Sequence, residues 1–328
     1  LTLASSNHSK QTLSAIYDKL NEQTKQKMGE LKLEKPVEVL FEGFNTDIYD
    51  NKKAVDNNVK KIFRKIPEQF CFLFVGHWLP GADGHDRKNI YSLIKVFLNT
   101  FKGISFNNKS KPALILKTSA GVVSYMDRDT ILKKIDDIKK TVKGKLPKIY
   151  LIHGDLLDEE MNELYNHPKV KCMVNITKGE GFGRPLLEFT QAKKPIISTG
   201  WSGHIDFLQP DMSILLPGTL GKVHKSAQNK WLIEGSQWFD VDTMQLGRAL
   251  KDMYKNYKSW GVKAKQQGNF AKENFSYGKM VKKLKNILNE NVTEAPKQVP
   301  LQLPKLKKIG GDTKTELPKL KLPKLKKV

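Results

Sequence analysis

Short apolar runs recur along the middle of the chain and alternate with stretches whose apolar residues are spaced three or four positions apart. Such runs predict buried strands, because strands covered on both faces by helices carry unbroken apolar residues. The predicted strands are Phe70 to Val75, Ala113 to Leu116, Ile149 to Ile152, Val170 to Ile176, Pro195 to Ser198 and Ser213 to Leu216. Strands alternating with helices predict an α/β fold built on a doubly wound, Rossmann-like parallel sheet.

The helical spacing between these runs predicts the crossover helices of the sheet. They are expected at Ile90 to Phe101, Arg128 to Val142, Glu159 to Tyr165 and Leu186 to Ala192. After Leu216 the chain is less regular until three more predicted helices, at Thr243 to Tyr257, Val262 to Asn274 and Tyr277 to Leu288. Ligands bind such a sheet outside the carboxyl ends of its strands. Glycines fall at those ends at Gly76, at Gly154 and between Gly179 and Gly183.

The two ends of the chain differ from this middle part. The segment Ser5 to Lys10 is followed by a predicted helical stretch that reaches about Leu31. From about Val292 the composition changes, and Leu-Pro-Lys-Leu-Lys occurs three times, at Leu303, Leu317 and Leu322. Its prolines prevent a regular helix and its lysines prevent a core. We therefore predict a disordered, basic Lys/Pro/Leu-repeat tail over residues 291–328.

The chain is strongly basic, with 57 Lys and Arg against 34 Asp and Glu and a net charge of +23. The predicted tail holds ten lysines and three acids and so carries +7 of this charge. A charge of this size favours an anionic partner, and membrane phosphates, anionic glycans and nucleic acid all fit. Since repeated weak contacts add up, the tail is predicted to tether the protein to an anionic surface, although a solubilising end is the plainer interpretation.

Hydropathy and cysteine usage indicate where the protein works. No apolar run reaches the roughly 18 residues of a membrane span, and the first residues lack a signal-peptide core. Cys71 and Cys172 both fall inside predicted buried strands and have no neighbouring cysteine, so we expect unpaired thiols. A soluble protein of a reducing, cytoplasmic compartment is expected.

Two glutamates, Glu180 and Glu188, bracket a glycine-rich turn in Lys-Gly-Glu-Gly-Phe-Gly-Arg-Pro-Leu-Leu-Glu, residues 178–188. The turn follows a predicted strand, and its glycines let the backbone approach a ligand. A helix is predicted to begin around Arg184, with Pro185 tolerated in its first turn. The free N–H groups and dipole of that helix end favour a diphosphate. The two carboxylates can then hold a sugar and a ribose of one long ligand.

This stretch resembles the E-x7-E motif of family 4 of the retaining GT-B glycosyltransferases, also called glycosyl transferases group 1. Other segments resemble the same family in the same order. Val37 to Tyr49 resembles its interdomain segment, and Phe72 to Gly76 with Arg87 to Ile90 resembles its strand, glycine turn and basic pair. Ile149 to Gly154 resembles the strand beside the base, and Pro195 to Ser198 with Ser202 to His204 resembles its closing strand and glycine turn. The resemblance covers roughly Val37 to Leu208 and concerns mainly the C-terminal nucleotide-sugar-binding domain.

The resemblance implies a domain organisation. Residues 36–290 would be the Rossmann-like, nucleotide-sugar-binding half of a GT-B fold together with its C-terminal helices. Residues 1–35 would be a remnant of the N-terminal acceptor domain, and the rest of that domain is expected upstream or on a partner chain.

The resemblance also implies roles for single residues. Glu180 would contact the sugar hydroxyls of the donor and Lys88 would stabilise the departing diphosphate, so both are assigned as catalytic. Glu188 would bind the ribose. His77 stands where the family usually has arginine, so Arg87 is expected to supply the second charge. The remaining substrate-binding positions are Gly181 and the backbone N–H groups of Phe182, Gly183 and Leu187.

Plainer interpretations exist for these positions. Glu180 is also typical of a helix-capping carboxylate, and on composition alone Lys88 is a solvated residue at a helix start. Asp83, His85 and Asp86 resemble metal ligands, but no paired ligand set accompanies them elsewhere, and we expect no metal and no cofactor. His153 is a strand-end residue, and His8 does not match the catalytic histidine of the family's acceptor domain.

The leading hypothesis is a hexosyl- or related glycosyltransferase. It would move a sugar from a nucleotide-diphosphate sugar to an unknown acceptor with retention of configuration, and this chain would supply the donor half. One alternative is a non-catalytic nucleotide- or glycan-binding module. Another is a DNA-modifying sugar transferase, for which the positive charge is the only support.

Overall fold

A computed structural model gives the structure of residues 1–21, 23–24, 26–51, 57–104, 111–121, 123–229, 232 and 235–292. The predicted tail lies outside these residues from position 293 onward. The chain begins with strand β1 (Thr2–Ala4), helix α1 (Asn7–Ser14) and the antiparallel strands β2 (Tyr17–Leu20) and β3 (Lys27–Leu31). Strand β4 (Val37–Val39) runs parallel to β1 with Val37 opposite Thr2, and helix α2 (Asn57–Arg64) follows.

The helix predicted to continue to about Leu31 is wrong, since α1 ends at Ser14 and a hairpin follows. The hydroxyl of Tyr17 donates to the carbonyl of Thr12 at 2.6 Å, at the end of the helix. The side-chain oxygen of Asn21 then accepts the backbone N–H groups of Gln23 and Thr24, each at 2.9 Å. An asparagine that bonds its own backbone in this way reverses the chain, and here it offsets the helical propensity of the residues around it.

Strands β5 (Phe70–Val75), β6 (Pro112–Lys117), β7 (Ile149–Ile152), β8 (Val170–Asn175), β9 (Ile196–Thr199) and β10 (Ile214–Leu216) form one parallel sheet in the described part of the chain. Their order is β10-β9-β8-β5-β6-β7. The chain therefore starts in the middle of the sheet, moves outward to β7, and returns to the other side of β5 as β8. This is the doubly wound order, with its switch point between β5 and β8, and it confirms the predicted fold.

Helices α3 (Ile90–Phe101), α4 (Tyr125–Lys140), α5 (Asp158–Asn166) and α6 (Arg184–Thr190) connect the strands, as predicted. Apolar side chains on the two faces of the sheet form two cores. Within β5, Cys71 and Leu73 belong to one core, and Phe72 and Phe74 belong to the other. Each fully buried side chain of this size stabilises the fold by roughly 1.5–3 kcal/mol, which is why both faces must be covered. Both cysteines of the chain are buried and unpaired in this structure, as expected.

The less regular region after β10 contains a hairpin that the sequence did not predict. Its strands are β11 (Gly218–Lys222) and β12 (Gln237–Val241), which run antiparallel. Two glycines weaken the strand pattern of β11, but a Cβ at Gly218 would collide with the backbone of Asp240, and one at Gly221 with the Asp240 side chain. The glycines therefore permit a close approach of the two strands.

Three helices complete the described chain: α7 (Thr243–Lys255), α8 (Gly261–Phe275) and α9 (Tyr277–Asn291). They confirm the three predicted C-terminal helices within a few residues. Phe44 bonds back to this region, because its N–H donates to the Phe275 carbonyl at 3.3 Å and its carbonyl accepts the Tyr277 N–H at 2.9 Å. Within the described ranges, none of the helices has the length and apolar character of a membrane span.

Candidate functional site

The glycine-rich turn after β8 meets the loop before α3 at the switch point of the sheet. The backbone N–H of Lys178 donates to the carbonyl of Arg87 at 2.7 Å, and the hydroxyl of Thr177 donates to the same carbonyl at 3.3 Å. These contacts join two segments that lie about ninety positions apart in the chain. The two predicted site segments are therefore brought together at the carboxyl ends of β5 and β8, where doubly wound sheets bind ligands.

Glu180 lies between two cations from the loop before α3. One carboxylate oxygen pairs with the ammonium of Lys88, and the other lies 3.3 Å from the Arg87 guanidinium. Arg87 also donates to the carbonyl of Gly179. The Glu180 side chain is 9% exposed and that of Lys88 is 11% exposed, whereas Arg87 is 31% exposed. The structure thus forms a cluster of Glu180, Lys88 and Arg87, hereafter the ion cluster.

Burial and charge act in opposite directions on this cluster. Burial raises the pKa of Glu180, but the charges of Lys88 and Arg87 outweigh it and hold the pKa below its ordinary value. Burial lowers the pKa of Lys88, although the Glu180 carboxylate counteracts this. An ionised carboxylate is therefore kept in a largely buried place by its two partners, and removing a partner leaves a costly buried charge.

The backbone of Glu180 is fixed from the segment after β9. Its N–H donates to the Ser202 hydroxyl oxygen at 2.9 Å, and its carbonyl accepts the Gly203 N–H at 3.0 Å. A side chain at Gly203 would collide with the Gly181 carbonyl, so only glycine fits there. Ser202 adopts a positive φ of 81°, which is uncommon for a residue other than glycine and is typical of functional sites.

His204 packs behind the turn. The resemblance placed it in the glycine turn after the closing strand but gave it no role of its own. Its imidazole is fully buried, and Nε2 donates to the Thr199 carbonyl at 2.6 Å. Burial lowers the pKa of His204, even though the bond to Thr199 and the Glu180 charge act against this. Among the described residues its Nδ1 has no hydrogen-bond partner. A neutral ring with a buried acceptor therefore lies beside the turn.

Glu188 occupies a different environment, one turn into α6. Gly183 precedes that helix with a left-handed φ of 96°, which confirms the predicted helix start. One oxygen of Glu188 accepts from the Tyr165 hydroxyl at 3.4 Å, and the other lies 3.2 Å from the Arg184 guanidinium. The Tyr49 hydroxyl, which donates to the Asp158 carboxylate at 3.2 Å, lies nearby and lowers the pKa of Glu188. Two phenols and one half-exposed arginine therefore surround Glu188.

Burial raises the pKa of Glu188 to about 7. Arg184 lowers the pKa and the nearby Asp158 carboxylate raises it, while the tyrosine hydroxyls lower it. This carboxyl group therefore changes its charge near neutral pH, in contrast to Glu180. A ligand hydroxyl that donates to Glu188 favours the ionised form.

The raised pKa of Glu188 predicts a pH-dependent stability. Folding favours the protonated carboxyl group of Glu188. The contribution of this group to the free energy of unfolding is therefore complete below the ordinary pKa of 4.5 and is lost as the pH rises through about 7. We expect Glu188→Gln to remove this loss and to stabilise the protein by up to about 3 kcal/mol near pH 8, with little effect near pH 4. Urea unfolding of both proteins across this range measures the difference. The exposed Glu159→Gln serves as the control, and an equal effect of both substitutions would contradict the assignment.

The other predicted site residues lie around the turn in different ways. His77 is exposed at the end of β5, with its Nδ1 at 3.2 Å from the Ser119 hydroxyl oxygen. The side chains of Phe182 and Leu187 are buried in the core. The backbone N–H of Leu187 donates to the Gly183 carbonyl at 3.3 Å. Their predicted contacts with a ligand stay predictions.

Helix α1 lies directly on the turn, which no pattern in the sequence indicated. The hydroxyls of Ser5 and Ser9 donate to the Gly181 carbonyl at 3.2 and 3.4 Å. His8 contacts the Trp201 ring edge-on at 4.6 Å between centroids. A cavity of about 440 Å³ opens between α1 and the ion cluster, lined by residues that include His8, Thr12, Leu13, Arg87, Glu180, Trp201 and Trp238.

Two of the three alternative metal ligands, Asp86 and His85, have other partners in the structure. Asp86 is buried and accepts the backbone N–H of Ile90 at 3.3 Å, at the start of α3. The ring of His85 stacks on that of His224, with 3.9 Å between centroids. Within the described ranges, no three or more His, Cys, Asp or Glu side chains are grouped as metal ligands are.

No protein-family model matches the sequence. No curated protein matches it either. Similar solved structures do exist. A glycosyltransferase from Rickettsia africae aligns with a TM-score of 0.58 at 16% identity, over 89% of this chain and 64% of that one. Anabaena HepE in complex with UDP-glucose aligns at 0.52 and 12% identity, over 77% and 57%.

The sucrose-phosphate synthase of Thermosynechococcus elongatus aligns with a TM-score of 0.51 at 12% identity, over 77% of this chain and 52% of that one. This chain thus spans between 52% and 64% of the length of the three solved structures. Identities this low establish a common fold rather than a common activity. The described chain therefore has the Rossmann-like α/β fold of the GT-B glycosyltransferases.

Proposed function

We propose that this protein is a glycosyltransferase that takes a sugar from a nucleoside-diphosphate sugar, and that the described residues bind this donor. The observation that carries the proposal is the ion cluster. It places two cations and an ionised carboxylate together at the switch point of a doubly wound sheet, where the fold binds nucleotides.

The ion cluster suits a diphosphate that is attached to a sugar. Without a ligand, Glu180 neutralises part of the charge of Lys88 and Arg87. A diphosphate brings more negative charge than one carboxylate, so it takes over both cations through charge-assisted hydrogen bonds. The carboxylate of Glu180 is then available to accept hydrogen bonds from the sugar hydroxyls.

Glu188 suits the ribose of the same donor. The Glu188 carboxylate accepts hydrogen bonds, and the residue is buried. Glu188 also lies eight positions after Glu180 in the sequence. The HepE structure is a complex with UDP-glucose, which makes uridine diphosphate (UDP) the first nucleotide to test here. A uridine donor is part of the proposal.

The proposed transfer retains the configuration at the sugar carbon and uses no metal. The bond between the anomeric carbon and the phosphate oxygen breaks, and the acceptor oxygen bonds to that carbon on the same face. The leaving phosphate oxygen takes the proton of the acceptor hydroxyl. Lys88 and Arg87 stabilise the negative charge that develops on the diphosphate, and this lowers the barrier. Retention rests on the resemblance to the E-x7-E enzymes.

Calorimetric titration with UDP, GDP and ADP tests the donor site. We expect one of them to bind with or without EDTA, and we expect Arg87→Ala to weaken that binding about 10- to 100-fold, since it removes a charge-assisted contact worth roughly 1–3 kcal/mol. Arg248→Ala, an exposed arginine on α7, is the matched control. If no nucleotide binds, or if both variants bind alike, the proposed site is wrong.

A further inference from the structure

A second cavity opens next to the ion cluster, with a volume of about 1250 Å³. Three parts of the chain enclose it: the β2–β3 hairpin, the loop before α3, and the β11–β12 hairpin. The β2–β3 hairpin contributes Leu20 and Leu31, and the loop before α3 contributes His85. The β11–β12 hairpin contributes Lys222, Lys225 and Trp238, among others. We call this space the hairpin cavity. Of its lining residues, Lys178 belongs to the glycine-rich motif of the donor site, and the others lie outside residues 178–188.

The hairpin cavity adjoins the donor site. Trp238 lines both the hairpin cavity and the smaller cavity that contains Glu180. Lys178 lines the hairpin cavity two positions before Glu180, and its carbonyl accepts the backbone N–H of Phe239 at 3.0 Å. The two cavities therefore lie side by side and share the wall that Trp238 forms.

The walls of the cavity are held together by specific contacts. The backbone N–H of Ala82 donates to the Ser226 hydroxyl oxygen at 2.9 Å. The rings of His85 and His224 stack with an angle of 14° between their planes. Lys178 pairs with Asp240 across the turn and β12. The loop before α3 is thus fixed to the β11–β12 hairpin and forms one wall of the cavity.

The charges that line the hairpin cavity are unbalanced. Its two acids are neutralised, because Asp18 pairs with Lys27 at 2.7 Å and Asp240 pairs with Lys178. In the part of the chain that the structure describes, the lining lysines Lys19, Lys222 and Lys225 make no ion pair. Among the described residues, these three lysines therefore carry positive charges without an acidic partner.

Part of the remaining lining is apolar. Leu20 and Leu31 are 49% and 53% exposed, and Val223 and Trp238 continue this surface on the opposite wall. Sugar rings fit such a surface, because their C–H faces pack on apolar side chains while their hydroxyls reach polar groups at the rim. An acidic substituent on the sugar would meet the lysines.

We propose that the hairpin cavity binds an anionic saccharide, and that this saccharide is the acceptor of the transfer. The acceptor role rests on the proposed function, whereas saccharide binding does not. Two hairpins form its walls, and its volume of about 1250 Å³ lies just above the range of about 300–1,000 Å³ that small-ligand sites span. A DNA duplex or a bilayer needs an open surface and fits this shape less well.

The test uses the whole 328-residue chain and two saccharide probes of equal length. Titration with hyaluronan tetrasaccharide, which carries carboxylates, is compared with titration of the uncharged chitin tetrasaccharide. We expect the acidic probe to bind at least about tenfold more tightly, and we expect Lys222→Gln with Lys225→Gln to remove most of this preference. The control is Lys279→Gln with Lys282→Gln, two exposed lysines on α9 with the same spacing and the same change in net charge.

A second pair of variants tests the position of the ligand. Leu20→Glu introduces a negative charge at the cavity wall and should weaken binding of the acidic probe about tenfold, whereas Leu20→Gln should change it by less than about twofold. Because Leu20 is half-exposed on a short hairpin, both variants are expected to fold. Equal effects of Glu and Gln would overturn the proposal.

UDP titrations of the same variants separate this inference from the proposed function. Retained UDP binding together with loss of the acidic probe supports an independent saccharide site. Equal loss in the Lys222/Lys225 and Lys279/Lys282 variants, or binding of both probes alike, overturns it. The proposal is also overturned if a DNA duplex or anionic vesicles bind more tightly than the acidic probe and lose this binding equally in the Lys222/Lys225 and Lys279/Lys282 variants. That result indicates general attraction to negative charge. If UDP fails to bind the parent protein, the acceptor role is wrong. The claim that the cavity binds an acidic saccharide is then tested by the two saccharide probes alone.

Discussion

Lys88→Met should destabilise the free protein by about 4 kcal/mol, because it leaves the buried Glu180 carboxylate with only the partly exposed Arg87 as partner. Glu180→Gln combined with Lys88→Met should recover most of that loss, since neither charge is then present. Urea unfolding of the parent, both single variants and the double variant gives the coupling energy directly.

The control for this cycle is a surface ion pair. Lys139 and Asp136 lie 3.0 Å apart on α4 with exposed side chains, and Lys139→Met should cost less than about 1 kcal/mol. If Lys88→Met has an equally small effect, or if the double variant is no more stable than Lys88→Met, the ion cluster does not hold a buried charge.

Lys88→Met and Glu180→Gln should change UDP affinity in opposite directions. Lys88→Met removes a cation from the diphosphate and should weaken UDP binding about 100-fold. Glu180→Gln frees Lys88 and Arg87 from their carboxylate before the ligand arrives, so UDP should bind about tenfold more tightly. The two variants would then differ by about a thousandfold.

UDP-glucose supplies the matching control. Its sugar is expected to interact with the Glu180 carboxylate, so the gain in affinity seen for UDP in Glu180→Gln should be reduced or lost for UDP-glucose. Calorimetry on both ligands measures this difference. A loss of UDP affinity in Glu180→Gln would mean that the carboxylate does not compete with the diphosphate for the two cations.

Much of the fold was predictable because the apolar residues of its core recur in the sequence with the spacing of strands and helices. The strand Phe70–Val75 and the helix Ile90–Phe101 are both bounded by the ends of an apolar pattern, and the structure has the same bounds. The meeting of Lys88 with Glu180, 92 positions apart, also follows from the sequence, since parallel strands bring their carboxyl ends to one edge.

Other features depend on single polar contacts that leave no pattern. The bonds from Ser5 and Ser9 to Gly181, which place α1 on the turn, join residues more than 170 positions apart. A helix was predicted where the β2–β3 hairpin lies, because the turn at Asn21 depends on two hydrogen bonds to the side-chain oxygen of this one residue. The β11–β12 hairpin was missed because its glycines serve a close approach of two backbones, and glycine otherwise indicates a loop.

The most direct test of the donor site is a crystal structure of the 328-residue chain with UDP-glucose. We expect the diphosphate to lie within hydrogen-bond distance of Lys88 and Arg87, sugar hydroxyls to donate to Glu180, and the direct contact between Lys88 and Glu180 to be broken. A nucleotide bound elsewhere, or a bound UDP-glucose beside an intact Lys88–Glu180 pair, would contradict this expectation.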